Sequence, residues 1–227
     1  MRAAISLGAS PISEESTMVL RCVISLLLVA TSWVTAEATD LQPTLGQRGT
    51  LLLNETFSEA SLPDHWTRNA GTLSVTDGVL RVSELAADKH VAACRYPLPV
   101  QNCAVQFDFQ LDGAKLLHFG YDPAPGELQT HGHLFSVAVT PTSWSLLEHV
   151  TKKGAIAEAP LTLEPARWYT LLVECRGDQV VAQIAGQPPL KGHAPDFHVK
   201  KPGLVFRAGS AEDQPVLIDN LRVWELK

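Results

Sequence analysis

The chain has 227 residues, of which 45% are hydrophobic and 19% charged, and its formal charge is −6. This balance is too apolar for a disordered chain and holds too few long apolar runs for a polytopic membrane protein. No basic tract relieves the acidity, which excludes nucleic acid and anionic membranes as expected partners.

The N-terminal region reads as a targeting segment. Cys22 to Val34, CVISLLLVATSWV, is an apolar run with Arg21 before it and small residues, Val34 and Ala36, at the cleavage-determining positions. It falls short of the roughly 20 residues that span a bilayer. Residues 18–36 are therefore expected to be a helical secretory signal peptide; the alternative is a buried core helix. Glu14 and Glu15 cancel the positive charge that such a signal needs, so translation is expected to start at Met18. Residues 1–17 are then a mis-assigned start or an unstructured extension. The product is expected in the periplasm, at the cell surface or in the medium, with no stable membrane insertion after cleavage. Residues 37–50 form a polar lead-in, and 51–227 the domain proper.

Cys94, Cys103 and Cys175 follow the signal, an odd count that precludes complete pairing within the chain. Cys94 and Cys103 can bridge neighbouring strands, which would stabilise by roughly 2–3 kcal/mol; the alternative leaves both as thiols. Cys175 shares a strand face with Leu171 and Val173 and is expected to be a buried thiol.

Strand signals then follow one another. Leu51–Phe57 is the first. Thr72–Ser83 carries Asp77-Gly78 between two alternating segments, a hairpin signal because glycine accepts the positive φ of the turn. His90–Tyr96 is expected to end at Pro97 and Pro99. Cys103–Leu111 alternates most clearly: Cys103, Val105, Phe107, Phe109 and Leu111 face one way, and Ala104, Gln106, Asp108 and Gln110 the other. Leu116–Tyr121, Leu134–Val139 and Ser143–His149 continue the pattern. Trp168–Cys175 and Gln179–Ala185 flank a turn at Arg176-Gly177-Asp178. Leu204–Arg207 and Pro215–Leu226 close the chain. These roughly eleven strands, with no sustained helical period outside the signal, predict an antiparallel sandwich or barrel.

Phe57, Leu62-Pro63, Trp66, Gly71 and the hairpin VTDGVL resemble the opening of concanavalin A-like lectin/glucanase domains. FDFQLDGAK, RWYTLLVECRGDQVVAQIAG and VLIDNLRVWEL, with its Asp219-Asn220 pair, are similar to later parts of that pattern. Within the superfamily the chain most resembles the 3-keto-disaccharide hydrolase family of secreted bacterial proteins, over about Leu51 to Lys227. The resemblance implies an all-β, two-sheet jelly-roll sandwich whose concave face holds a carbohydrate or glycoside. The E-x-D-x-x-E motif of retaining glucanases is absent. Asp108 stands without a carboxylate neighbour on its strand face, which argues against an ordinary retaining endoglucanase.

The richest polar stretch is HFGYDPAPGELQTHGH, between His118 and His133. His131 and His133 fall on one side of an extended segment. With His118 and Asp122 they form a candidate site for a divalent metal such as zinc or manganese. His133 is the candidate catalytic base for removing a proton beside a keto group. The alternative is a solvated, His-rich loop. Trp144, near Glu148 and His149, is either a sugar-stacking ring or a core ring. Asp108, His118, Trp144 and Glu148 are the candidate sugar-contacting residues. Glu59 and Asp219 are too scattered to make a calcium site. Three functions remain open: an exported sugar-binding module, a hydrolase or lyase acting on 3-keto-glycosides, and a structural envelope protein.

Overall fold

The computed structural model describes residues 39–129, 132–210 and 214–227. The expected signal peptide at 18–36, the extension at 1–17 and the start at Met18 lie outside these residues. Among the described residues no helix is long and apolar enough to cross a membrane.

The described residues form fifteen strands and two short 3₁₀ turns, at Ala86–Asp88 and Pro195–His198. The strands are β1 (Arg48–Glu55), β2 (Thr67–Ala70), β3 (Thr72–Thr76), β4 (Val79–Ser83), β5 (Ala92–Val100), β6 (Cys103–Leu111), β7 (Leu116–Tyr121) and β8 (Phe135–Val139). They continue with β9 (Ser143–Glu148), β10 (Gly154–Pro160), β11 (Tyr169–Arg176), β12 (Gln179–Ile184), β13 (Leu190–His193), β14 (Lys201–Gly209) and β15 (Val216–Leu226). Every pairing is antiparallel. An eight-stranded sheet runs β13-β12-β11-β6-β15-β4-β3, with β1 also paired to β15; a seven-stranded sheet runs β10-β9-β8-β7-β14-β5-β2. This is the expected two-sheet jelly-roll sandwich.

Alternation builds the core. Cys103, Val105, Phe107, Phe109 and Leu111 all face the interior from β6. Phe107 meets Phe119 of β7 and Phe206 of β14, with ring centroids 5.2 Å away in both cases, so one aromatic cluster joins the two sheets. Such rings each bury 150–250 Å² and dominate core energetics. The Asp77-Gly78 hairpin forms as expected, with φ of 54° and 75°.

The other face of β6 is buried as well, because the lead-in lies across it. Leu41 and Leu45 pack against Ala104, Leu172, Trp224 and Leu226. Glu174 accepts hydrogen bonds from the Thr44 and Leu45 amides, both at 2.7 Å, and Gln106 accepts one from the Leu41 amide. The polar side chains of this face thus satisfy backbone donors of the strap.

One expectation is corrected, and of the two alternatives for Cys94 and Cys103 the free thiols hold. β5 runs through Pro97 and Pro99 to Val100. Its pairing with β2 ends at Arg95, so beyond that point only β14 flanks it, the edge position at which a strand tolerates proline. Cys94 and Cys103 are not bridged: Cys94 lies in the seven-stranded sheet, Cys103 in the eight-stranded one, and all three thiols are free and buried. Cys103 instead faces Cys175 across the β6–β11 pair, with sulfurs 3.4 Å apart. Burial pushes the Cys94 thiol up to about 12.

Asp219 and Asn220 shape the last strand. One extra residue on β15 between Asp219 and Arg222 makes a bulge, and Asn220 takes φ 52° there. Asn220 Nδ2 donates to Asp108 Oδ2 at 2.9 Å. Burial, together with the charges of Asp108 and Glu55, raises Asp219 to about 6 against the bond it accepts from the Asn220 amide. The folded state therefore holds a proton that the unfolded chain releases, and stability falls as pH rises through that window. Asp219→Asn is expected to stabilise the fold at pH 7, on the order of 1 kcal/mol once its half-exposure is discounted, and to lose that gain below about pH 4. Thermal melts at the two pH values check it; an equal gain at both would contradict the assignment.

Candidate functional site

The outer face of the seven-stranded sheet carries the richest polar cluster. Its register sets two adjacent cross-strand rows. One runs Ala93, Arg207, His118, Ala138, Ser145 across β5, β14, β7, β8 and β9. The next runs Arg95, Val205, Gly120, Ser136, Leu147. Small residues beside long polar ones leave a hollow floor. Gly120 permits the closeness of β7 and β8: a Cβ there would lie 2.1 Å from the Phe135 carbonyl oxygen.

Arg207 organises the cluster. Its Nη2 donates to His118 Nδ1 at 2.6 Å, and its Nη1 to His133 Nε2 at 3.1 Å. A guanidinium only donates, so both imidazole nitrogens accept. His133 then carries its proton on Nδ1 and donates it to Asp122 Oδ1 at 2.6 Å. Asp122 Oδ2 accepts from Arg95 Nε and Nη2 at 3.1 and 2.9 Å, and Arg95 Nη1 donates to Asn69 Oδ1 at 2.6 Å. His149 Nε2 lies 2.9 Å from Ser136 Oγ, and its ring centroid is 5.7 Å from that of His133.

The electrostatics follow from this arrangement. Burial first, then the Arg207 charge, depresses His118 to about 3, so it stays neutral at physiological pH. Burial lowers His149 too, with His133 and Arg207 adding to the effect. Burial pushes Asp122 upward, but its bonds to His133 and Arg95 outweigh this and hold it below the usual carboxylate range. Arg207 is itself lowered, chiefly by burial.

Three open cavities meet at Arg95. One of about 460 Å³ is lined by Asn69, Asp88, His90, His133 and Arg207. A second, about 510 Å³, lies under the Asp122–Leu128 loop and also touches His133. A third of about 200 Å³ is more apolar, walled by Tyr96, Pro97, Pro202 and Leu204. Together they form a groove across the sheet face, walled by both polar and apolar groups.

The structure brings together His118, Asp122 and His133 from the expected constellation; His131 lies outside the described residues. Among the described residues no set of three or more His, Cys, Asp or Glu side chains is placed to hold a metal ion. Arg207 is the physical reason, since its guanidinium occupies the ring lone pairs of His118 and His133 that a cation would need. These residues do not fit a divalent ion unless Arg207 is displaced.

The other candidates sit elsewhere. Trp144 is 1% exposed within the sandwich core, so it cannot stack on an external sugar and the core-ring alternative holds. Glu148 is buried and accepts from the amide and hydroxyl of Thr151, which ties down the turn after β9. Asp108 belongs to the eight-stranded sheet, where it accepts from Thr170 Oγ1 at 2.6 Å and Asn220. It lines a separate cavity of about 270 Å³ with Thr39, Trp168 and Tyr169. Sequence reasoning missed Arg95, Arg207, Asn69, His90 and the placement of His149. The signal for Arg207 was available in LVFRAG, where alternation turns it away from Phe206.

No protein-family model matches the chain, and no curated protein matches it. Solved structures do. A Bacillus subtilis protein of unknown function with a galectin-like fold aligns at TM-score 0.61 and 14% identity, over 79% of this chain and 98% of that one. The carbohydrate-binding module CBM66 from Bacillus subtilis aligns at 0.55 and 12%, over 71% and 96%. SCLam, a non-specific endo-beta-1,3(4)-glucanase, aligns at 0.59 and 11%, over 84% and 95%. The two-sheet jelly-roll architecture of this chain is therefore one that these lectin-like, carbohydrate-binding and glucanase structures also have. At these identities the likeness defines the architecture alone.

Proposed function

We propose that this protein is an exported carbohydrate-binding domain whose site is the groove around Arg95. The observation that carries the reading is the constellation Asn69–Arg95–Asp122–His133–Arg207, a row of fixed donors and acceptors opening into connected cavities. Sugars need such a row, because each hydroxyl both donates and accepts. Pre-bonding of the side chains to one another lowers the cost of ordering them on binding. Structural neighbours that are carbohydrate-binding modules or lectins complexed with galactose support the same reading. Calorimetric titration with a series of oligosaccharides tests it. His133→Ala is expected to weaken the best ligand at least about ten-fold, by removing a central acceptor and unlocking Asp122. Unchanged affinity in both His133→Ala and Arg95→Ala would contradict the site.

A second reading, a hydrolase or lyase acting on 3-keto-glycosides in the manner of the 3-keto-disaccharide hydrolases, is favoured by one specific feature. Asp122 fixes the His133 tautomer with its lone pair on Nε2, which becomes a base once a substrate oxygen draws Arg207 off it; Arg207 then stabilises the oxyanion formed when a proton leaves the carbon next to the ketone. Incubation with a 3-keto-disaccharide, with and without chelator, separates the readings. Release of 3-keto-glucose that is lost in His133→Ala supports catalysis. Turnover abolished by the chelator would return a metal, and His131, to the site.

A further inference from the structure

We infer that the groove prefers an acidic sugar, whose carboxylate or sulfate oxyanion is taken by Arg207; the inference rests on the sugar-binding reading above. The charges around the groove do not balance at this residue. Asp122 is bonded through both oxygens, to Arg95 and to His133. Asp88, which also faces the space, is held by the Gly71 amide at 2.6 Å. Among the described residues no carboxylate lies within 4.0 Å of the Arg207 guanidinium. Its protein partners are two imidazole nitrogens, which carry no negative charge.

A half-buried guanidinium whose partners are imidazole nitrogens keeps its positive charge beside the cavity it lines, and it has more N–H donors than those two bonds use. Guanidinium groups match the planar geometry of carboxylate and sulfate oxygens, and such charge-assisted bonds are the strong ones. Arg95 lines the same cavity, but Asp122 already balances its charge, which leaves Arg207 as the guanidinium there without an acidic partner among the described residues. The chain as a whole carries −6, so a guanidinium with no carboxylate beside it is a local arrangement and not a consequence of composition. The groove's apolar end, at Tyr96, Pro97 and Leu204, leaves room for the carbon face of a neighbouring sugar unit.

The test uses the purified protein on an immobilised glycan panel. Each neutral glycan is printed beside its uronic-acid and its sulfated counterpart, and binding is read at low and high sodium chloride. The acidic forms are expected to bind about 10- to 100-fold better than their neutral partners, with the preference shrinking as salt rises. Arg207→Gln is expected to remove the preference, and Arg207→Lys to keep part of it. A melting curve for each variant shows that it is folded. Whether the uronic-acid or the sulfated arm binds better identifies the oxyanion. Neutral glycans binding as well as the acidic ones would overturn this inference and leave the sugar-binding reading standing. An acidic preference that survives in folded Arg207→Gln would also overturn it. A panel on which nothing binds would overturn both.

Discussion

Lys201→Ala is expected to destabilise the protein by about 3–5 kcal/mol, enough to remove much of the margin of an ordinary domain. Lys201 is 1% exposed at the start of β14. Its Nζ donates to the carbonyls of Gln101, Phe197 and Val199 at 3.0, 2.9 and 2.8 Å. Truncation leaves three acceptors without their donor and opens a cavity where the long side chain lay. Lys201→Met refills the volume but not the bonds, so it is expected to recover only part of the loss. The effect should reach the groove as well. The next residue back, Lys200, accepts from the Ala124 amide at 2.7 Å and so anchors the loop that walls the second cavity. Urea denaturation of the three proteins checks the ranking. A loss below about 1 kcal/mol for the alanine variant would show that water takes over the carbonyls.

Trp144→Ala is expected to cost about 3–5 kcal/mol of stability while leaving the ligand affinity of the folded protein unchanged. The ring lies in the common core from β9, between Val139 of β8 and Ala159 of β10 in register. Its indole Nε1 is buried with no hydrogen-bond partner among the described residues. Trp144→Phe therefore gives up no bond, and its loss should be the smaller one. Parallel melting and titration of both variants separate a packing role from a stacking role. Affinity lost in folded Trp144→Phe would restore the ring to the ligand site.

The strands that period-2 reasoning found are those with a face to bury. β6 and β7 match their expected bounds because each alternates between core side chains and the outer face. The three missed strands are β2, β10 and β13, and all three are sheet edges. Their sequences, TRNA, GAIAEAP and LKGH, carry little apolar alternation because an edge strand draws its order from one neighbour's ladder. β5 was cut short for a related reason, since proline is tolerated on the flank that has no partner.

The site was legible only in part. His118, Asp122 and His133 stood out as a cluster within one stretch of chain, and they do converge. What organises them, Arg207, comes from β14, 74 residues beyond His133, and no local spacing links the two. Asp108 and Trp144 were misplaced because alternation tells which residues share a face, not which of two sheets owns that face or which side is the core. The choice between metal and guanidinium turned on the same point. Imidazoles and a carboxylate suit either, and only the third dimension supplies the cation.

Ligand is expected to bind on the outer face of the seven-stranded sheet. An amide-resolved NMR titration with the best glycan from the panel locates the binding face. Shift changes are expected to cluster on Asn69, Arg95, Asp122, His133 and Arg207. Changes centred on Asp108, Trp168 and Tyr169, in the cavity of the opposite sheet, would contradict it.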